Sequence, residues 1–154
     1  MRKVIEHKEY TCLRCEAPFV SNGNNVGYCT TKCNRQSYYE AHMLIPEWRI
    51  GKLVSMAKNR SSNKGVPFNI DSVYMMELYD GKCAISGIQL ELGRADKGKV
   101  HPYAPSIDRI EPSLGYVKGN VRIVTYQMNV ALSEFGLVQF EEMIKLYLQN
   151  RSSI

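Results

Sequence analysis

Three oxygen-bearing side chains fall at informative places in one stretch, Pro105–Gly136, which reads P-S-I-D-R-I-E-P-S-L-G-Y-V-K-G-N-V-R-I-V-T-Y-Q-M-N-V-A-L-S-E-F-G. Asp108 lies in a short β-competent run, Asn120 opens a second one, and Asn129 sits where that second run gives way to helical spacing. One carboxylate and one amide oxygen brought together make a sparse, hard-oxygen site. Such a site leaves positions for water and a phosphate, which is what Mg²⁺ prefers. A plainer reading stands beside this one: Asp108 pairs with Arg109 or Arg122, and the two asparagines cap turns or helices.

The elements that must position these groups are legible. Ser106–Ile110 is short and β-competent. Glu111–Gly119 holds Pro112, Gly115 and Gly119 and is a loop. Asn120–Tyr126 carries Val121 and Ile123 in alternation, so it is a second strand. From Gln127 the apolar residues (Met128, Ala131, Leu132) follow a helical period. A hairpin would bring the first strand beside that helix, so that Asp108 and Asn129 face each other.

The Ser-Ile-Asp-Arg-Ile strand, Gly-Tyr loop, Gly-Asn-Val-Arg strand and helix-opening Asn, in that order, resemble the HNH nucleases of the ββα-metal superfamily, most of all its phage-type branch. The resemblance covers roughly Lys64 to Lys145. It implies an α+β protein with a ββα core and flanking helices. It also implies a metal-dependent endonuclease of restriction, homing or phage type acting on double-stranded DNA. Asp108 and Asn129 would hold Mg²⁺ or Mn²⁺, and Asn120 would brace the loop by hydrogen bonds. A cutter of palindromic sites would work as a homodimer.

The sequence departs from the family in two places. Most relatives carry a histidine directly after the metal-binding aspartate as general base; here Arg109 stands there. A guanidinium does not give up its proton near neutral pH, but it can clamp a phosphate oxygen. The base must come from elsewhere: Tyr79, His101 with its better intrinsic pKa, or water activated by the metal alone. Many relatives also hold a structural zinc with two cysteine pairs. This chain keeps Cys83 but has Ser86, and the later positions read Thr125 and Met128. No metal is expected there. Cys83 should be a small buried apolar residue, with Ala84, Ile85, Ile88, Tyr126 and Met128 filling the space.

A second cysteine set lies near the start. Cys12, Cys15, Cys29 and Cys33 form C-x2-C-x13-C-x3-C, the ligand set of a tetrahedral zinc. The connection contains Pro18, Gly23, Asn24, Asn25 and Gly27 and has almost no core, so a segment this short needs a metal to fold. Two disulfides are the alternative. No secretory core follows the Met-Arg-Lys start, which points to a reducing cytosol and hence to zinc; the nuclease resemblance implies the cytoplasm of a bacterial cell or phage-infected host. Tyr28–Gln36 is similar to the second half of small treble-clef-like fingers, whose last cysteine pair opens a helix, here over about Thr31–Met43. One zinc per chain is expected.

The organisation that follows is a four-cysteine zinc module at residues 1–45, a connecting helix at 46–64 and the ββα core at 65–154. Ile50, Leu53, Val54 and Ala57 mark the apolar face of the connecting helix. Lys58, Arg60 and Lys64 make a positive cluster that either grips a phosphate backbone or faces solvent. Lys118 and Arg122 join them as candidate DNA contacts. Asp71 caps a short helix. Gly93–Pro105 is polar and basic, with Arg94, Lys97, Lys99 and His101, and reads as a loop or irregular hairpin. Leu137, Phe140, Ile144 and Tyr147 give the last helix its spacing.

The composition fits. With 20 basic and 15 acidic residues among 154, the formal charge of +5 suits a nucleic-acid partner without proving one, and no apolar run is long enough to span a bilayer. Two functions stay open: a metal-dependent DNA endonuclease, or a zinc-containing DNA-binding protein whose cutting centre has decayed.

Overall fold

The computed structural model describes residues 8–23, 26–93, 95 and 99–152. Asn24, Asn25, Arg94 and Lys97, singled out above, lie outside the described residues. The chain is a mixed α+β protein of two compact units, residues 1–44 and 45–154. No helix among the described residues is long and apolar enough to cross a membrane.

The first unit is an antiparallel hairpin and one helix. β1 (Lys8–Thr11) pairs with β2 (Pro18–Ser21), Lys8 opposite Ser21 and Thr11 opposite Pro18. The turn between them carries Cys12 and Cys15. It is closed by Cys12 N–H donating to the Ala17 carbonyl (3.0 Å) and Glu16 N–H to that of Cys12 (3.0 Å). Helix α1 (Thr31–His42) begins at Thr30, whose hydroxyl accepts from the Cys33 N–H at 3.1 Å, a side-chain N-cap. Among the described residues of this unit only Cys12 and Met43 are buried apolar groups. That is too little core to hold so short a segment without a cross-link or metal.

The second unit has a real core. Helix α2 (Pro46–Lys64) starts with proline in its first turn and stops at Gly65, which takes the left-handed conformation (φ 64°) that glycine adopts without strain. Ile50, Leu53, Ala57 and Ser61 form its buried stripe, at the spacing of one helix face. Residues 46–64 are therefore part of the second unit's core rather than a connector. Helix α3 (Ser72–Glu77) is short and capped by Asp71, whose carboxylate accepts from the Tyr74 N–H at 2.9 Å.

The ββα arrangement follows. β3 (Pro105–Arg109) pairs antiparallel with β4 (Val121–Thr125), and α4 (Tyr126–Leu132) starts at the next residue, capped by the Thr125 hydroxyl. Ile107, Val121, Ile123 and Val124 join Ile50, Leu53, Ala57, Met75 and Leu90 in one apolar cluster. Both strands are covered on both faces, so the hairpin is an interior element. Cys83 is in this cluster, 2% exposed. Ile85 and Met128 pack against it, but Ala84, Ile88 and Tyr126 stay exposed; the space is filled by Leu90 and the strand residues instead. Burial raises the Cys83 thiol, but hydrogen bonds from the Ser86 side chain and from the backbone at Ser86, Ile85 and Thr125 outweigh it and hold the group below its ordinary value. Ser86 thus serves the sulfur as a hydrogen-bond partner at the position where a second metal ligand would stand.

Helix α5 (Gly136–Arg151) departs from expectation. Leu137 and Phe140 are half-buried, but Ile144 and Tyr147 are 37% and 57% exposed, and no residue of the helix is fully buried. Apolar spacing marks a helix face; it does not say that this chain covers it.

The Asp71 cap carries a pH signature. Its carboxyl is held below 3.8, chiefly by the Tyr74 N–H and further by Lys118 at 3.0 Å. A depressed folded-state pKa gives stability that is complete above the unfolded value and lost as pH falls through the folded one. Asp71→Ala is expected to lower the melting temperature by about 2–4 °C at pH 7. The deficit should shrink below about pH 4, as thermal scans from pH 7 to pH 2 will show.

Candidate active site and metal centre

The loop between β3 and β4 is built around Asn120. Its Oδ1 accepts from the Glu111 N–H (2.9 Å), while Nδ2 donates to the carbonyls of Glu111 (2.9 Å) and Gly115 (2.8 Å). The side chain is 6% exposed, so these bonds form away from water. A short 3-10 turn at Pro112–Leu114 lies inside the loop. Gly115 follows at φ 78°, and a Cβ there would lie 2.4 Å from the Pro67 carbonyl oxygen, so no other residue fits. The close approach lets Tyr116 N–H donate to Pro67 (2.8 Å) and Tyr116 accept from Asn69 N–H (3.0 Å). The loop is clamped again where Gly119 N–H donates to the Tyr74 hydroxyl at 2.9 Å.

Asp108 and Asn129 line one cleft of about 170 Å³, together with Arg60, Lys64, Arg109 and Tyr116. The hairpin register places Asp108 directly opposite Arg122, on the same face. Arg122 Nε donates to Asp108 Oδ2 at 2.8 Å. The plainer reading of Asp108 is therefore partly realised: Arg122, rather than Arg109, is its partner. Oδ1 has no donor among the described residues.

Asn129 reaches from α4 to β3, where its Nδ2 donates to Ser106 Oγ (2.7 Å) and the Ile107 carbonyl (3.1 Å). A carbonyl can only accept, so the amide nitrogen must face Ile107. Oδ1 is thereby left for the cleft. A carboxylate oxygen and an amide oxygen, both without protein donors among the described residues, line one cavity. That donor set fits a hard divalent ion whose other positions are filled by water and phosphate.

The remaining predicted residues divide. Arg109 Nη1 donates to the Pro112 carbonyl at 2.8 Å, and its guanidinium lies 5.1 Å from the centroid of Tyr116. Arg60 and Lys64 line the cleft; Lys58 is exposed and does not. Lys118 pairs with Asp71 and lies over the Tyr74 ring, and Arg122 is committed to Asp108, so neither is a free cation. Tyr79 and His101 do not line the cleft. Burial, with Asp80 and Glu47, raises the Tyr79 phenol, the wrong direction for a base near neutral pH. His101 Nδ1 accepts from the Tyr103 N–H at 3.2 Å. Tyr116 and Ser106 were given no role in the sequence reading. Both lie in stretches that carry the resemblance, Tyr116 in the Gly-Tyr loop and Ser106 at the head of the Ser-Ile-Asp-Arg-Ile strand, but neither stretch shows what the side chain touches.

The four N-terminal cysteines converge independently. All four sulfurs lie within 4.8 Å of one another, with Cys15–Cys29 at 3.5 Å, Cys29–Cys33 at 3.6 Å and Cys33–Cys15 at 3.8 Å. A tetrahedron with metal–sulfur bonds of about 2.3 Å requires sulfurs about 3.8 Å apart. All five cysteines of the chain are free thiols, so the two-disulfide alternative is not realised. Hydrogen bonds from the backbone at Cys15, Cys29 and Arg14 draw Cys12 down to about 6. Contacts with the thiols of Cys15, Cys12 and Cys33 push Cys29 up to about 12. Four thiols this close cannot all ionise without a cation among them, and a metal such as zinc could be held there.

No protein-family model matches the chain, and no curated protein matches it. Among solved structures, the rare-cutting HNH restriction endonuclease PacI, described for its perturbation of DNA, is similar at 15% identity. The match covers 93% of this chain and 98% of that one, with a TM-score of 0.44. The side chains of the cleft, rather than that likeness, carry the functional reading.

Two outcomes follow from this geometry. Asn120→Ala leaves buried carbonyls unpaired and is expected to cost about 1–3 kcal/mol in a denaturant titration, with the loop losing amide protection first. Elemental analysis of dialysed protein should give one tightly held metal per chain, lost in Cys29→Ser. Two per chain would contradict the metal-free account of Cys83.

Proposed function

We propose that the chain is a metal-dependent DNA endonuclease of the HNH type that hydrolyses phosphodiester bonds. The observation that carries this reading is the shared cleft of Asp108 and Asn129, each with an oxygen not taken by the protein. The cationic lining supports it, because Arg60, Lys64 and Arg109 suit a polyanion. The motif order noted in the sequence supports it as well.

The roles divide by geometry. Asp108 and Asn129 would hold Mg²⁺ or Mn²⁺, which when bound supplies charge relief at the phosphate and at the departing 3′ oxygen. Arg122 occupies Oδ2 of Asp108 and so orients its other oxygen. The amide nitrogen of Asn129 is anchored to β3 for the same end. Asn120 holds the loop in shape and acts as a positioning residue. Arg109 keeps its proton and clamps a non-bridging phosphate oxygen, which stabilises charge as it develops. Neither Tyr79 nor His101 is assigned the base role, since the cleft is lined without them. In the N-terminal unit we assign zinc to Cys12, Cys15, Cys29 and Cys33, with a structural role.

A second reading is favoured by one observation. The 2.8 Å bond from Arg122 already neutralises Asp108, as it would in a DNA-binding protein whose cutting centre has decayed. A plasmid-nicking assay separates the two. The wild type should nick supercoiled DNA with Mg²⁺ or Mn²⁺ and not in EDTA. Asp108→Ala should lose at least about a hundredfold in rate, roughly 3 kcal/mol of barrier. Equal cleavage by the variant, or none by the wild type, leaves the second reading.

A further inference from the structure

Arg60 stands out among the described charged residues of the second unit. Its Nε and Nη2 are buried and have no hydrogen-bond partner among the described residues, although a guanidinium stays charged at any working pH. A buried donor of full charge is stable only beside an acceptor, and the described residues supply none here. The group lies over the ring of Tyr116, 5.8 Å from its centroid, and Arg109 lies 5.1 Å from the same centroid. Tyr116 cannot drift, because its backbone is bonded to Pro67 and Asn69 and the residue is only 5% exposed. Two like charges are thus gathered at one aromatic ring, in a cleft that Lys64 also lines. The single carboxylate of that lining, Asp108, is already matched by Arg122. The cleft therefore carries an excess of positive charge before any metal enters it.

We propose that Arg60 and Arg109, ranged on Tyr116, form a phosphate-binding subsite that seats a DNA backbone phosphate without any divalent ion. Guanidinium groups suit this because their forked N–H donors match two phosphate oxygens at once, and a phosphate between them relieves their repulsion. Naming DNA as the source of the phosphate rests on the nuclease reading; the subsite itself does not. An order of events follows: DNA seats first, and its phosphate then lowers the positive potential that opposes a cation at Asp108 and Asn129.

The test is duplex binding by fluorescence anisotropy in EDTA, across a salt series, with the full chain. The wild type should bind. Arg60→Gln should lose roughly ten- to a hundredfold in affinity. The slope of log affinity against log salt should fall by about one phosphate contact. Arg60→Lys should keep the slope but recover only part of the affinity. Inorganic phosphate should raise the melting temperature of the wild type and not of Arg60→Gln. A folded Arg60→Gln that binds with wild-type affinity and slope overturns the proposal. If that variant does not fold, unchanged affinity in Arg60→Lys, with no thermal response of the wild type to phosphate, overturns it equally. Arg60-dependent binding by a protein that never nicks DNA would keep the subsite and end the nuclease reading. Nicking indifferent to Arg60 would do the reverse.

Discussion

The amide of Asn129 ties α4 to β3, and most of the cleft depends on that tie. Nδ2 meets a hydroxyl and a strand carbonyl, neither of which water can reach freely. The bond fixes the angle at which α4 leaves the hairpin and the face the amide presents. Reversing the amide would set oxygen against the Ile107 carbonyl, which repels it. A helix cap and a hairpin register thus decide the orientation of one oxygen. The Asn120 network does the same for the loop, which in turn sets Tyr116 and the backbone that Arg109 grips.

Charge in the cleft is managed closely. Asp108 is 5% exposed, and burial of an unpaired carboxylate would be costly; Arg122, directly across the ladder, offsets that cost. The pair has a further effect on the surroundings. With Asp108 neutralised, Arg60, Lys64 and Arg109 set the sign of the cleft's potential. Low dielectric near the core strengthens that potential relative to an open surface. Such a potential suits an anion.

Much of this was legible in the sequence because it is local. Alternation in Val121–Ile123, the helical period after Gln127, the Asp71 and Pro46 helix starts and the cysteine spacing each depend on neighbours a few residues apart. What was not legible is non-local. The Arg60–Tyr116 contact joins residues far apart in the chain, and no periodicity encodes it. The choice of Arg122 over Arg109 as the partner of Asp108 follows from the strand register, which the long intervening loop hides. Helix α5 shows the opposite limit: its apolar pattern was plain, but the described residues bury it only in part, leaving Ile144 and Tyr147 exposed. The two base candidates, Tyr79 and His101, lie outside both strands of the hairpin and do not line the cleft, and residue type alone does not place a side chain.

The central claim is that one divalent ion binds between Asp108 and Asn129 against a DNA phosphate. Crystals of the protein on an uncleavable duplex, soaked in Mn²⁺ and measured at the manganese edge, test it directly. The account predicts one anomalous peak within about 2.0–2.4 Å of both an Asp108 oxygen and Asn129 Oδ1, with a phosphate oxygen completing the contact. A peak elsewhere, or an Arg122 side chain occupying that position in the presence of DNA and metal, would contradict it.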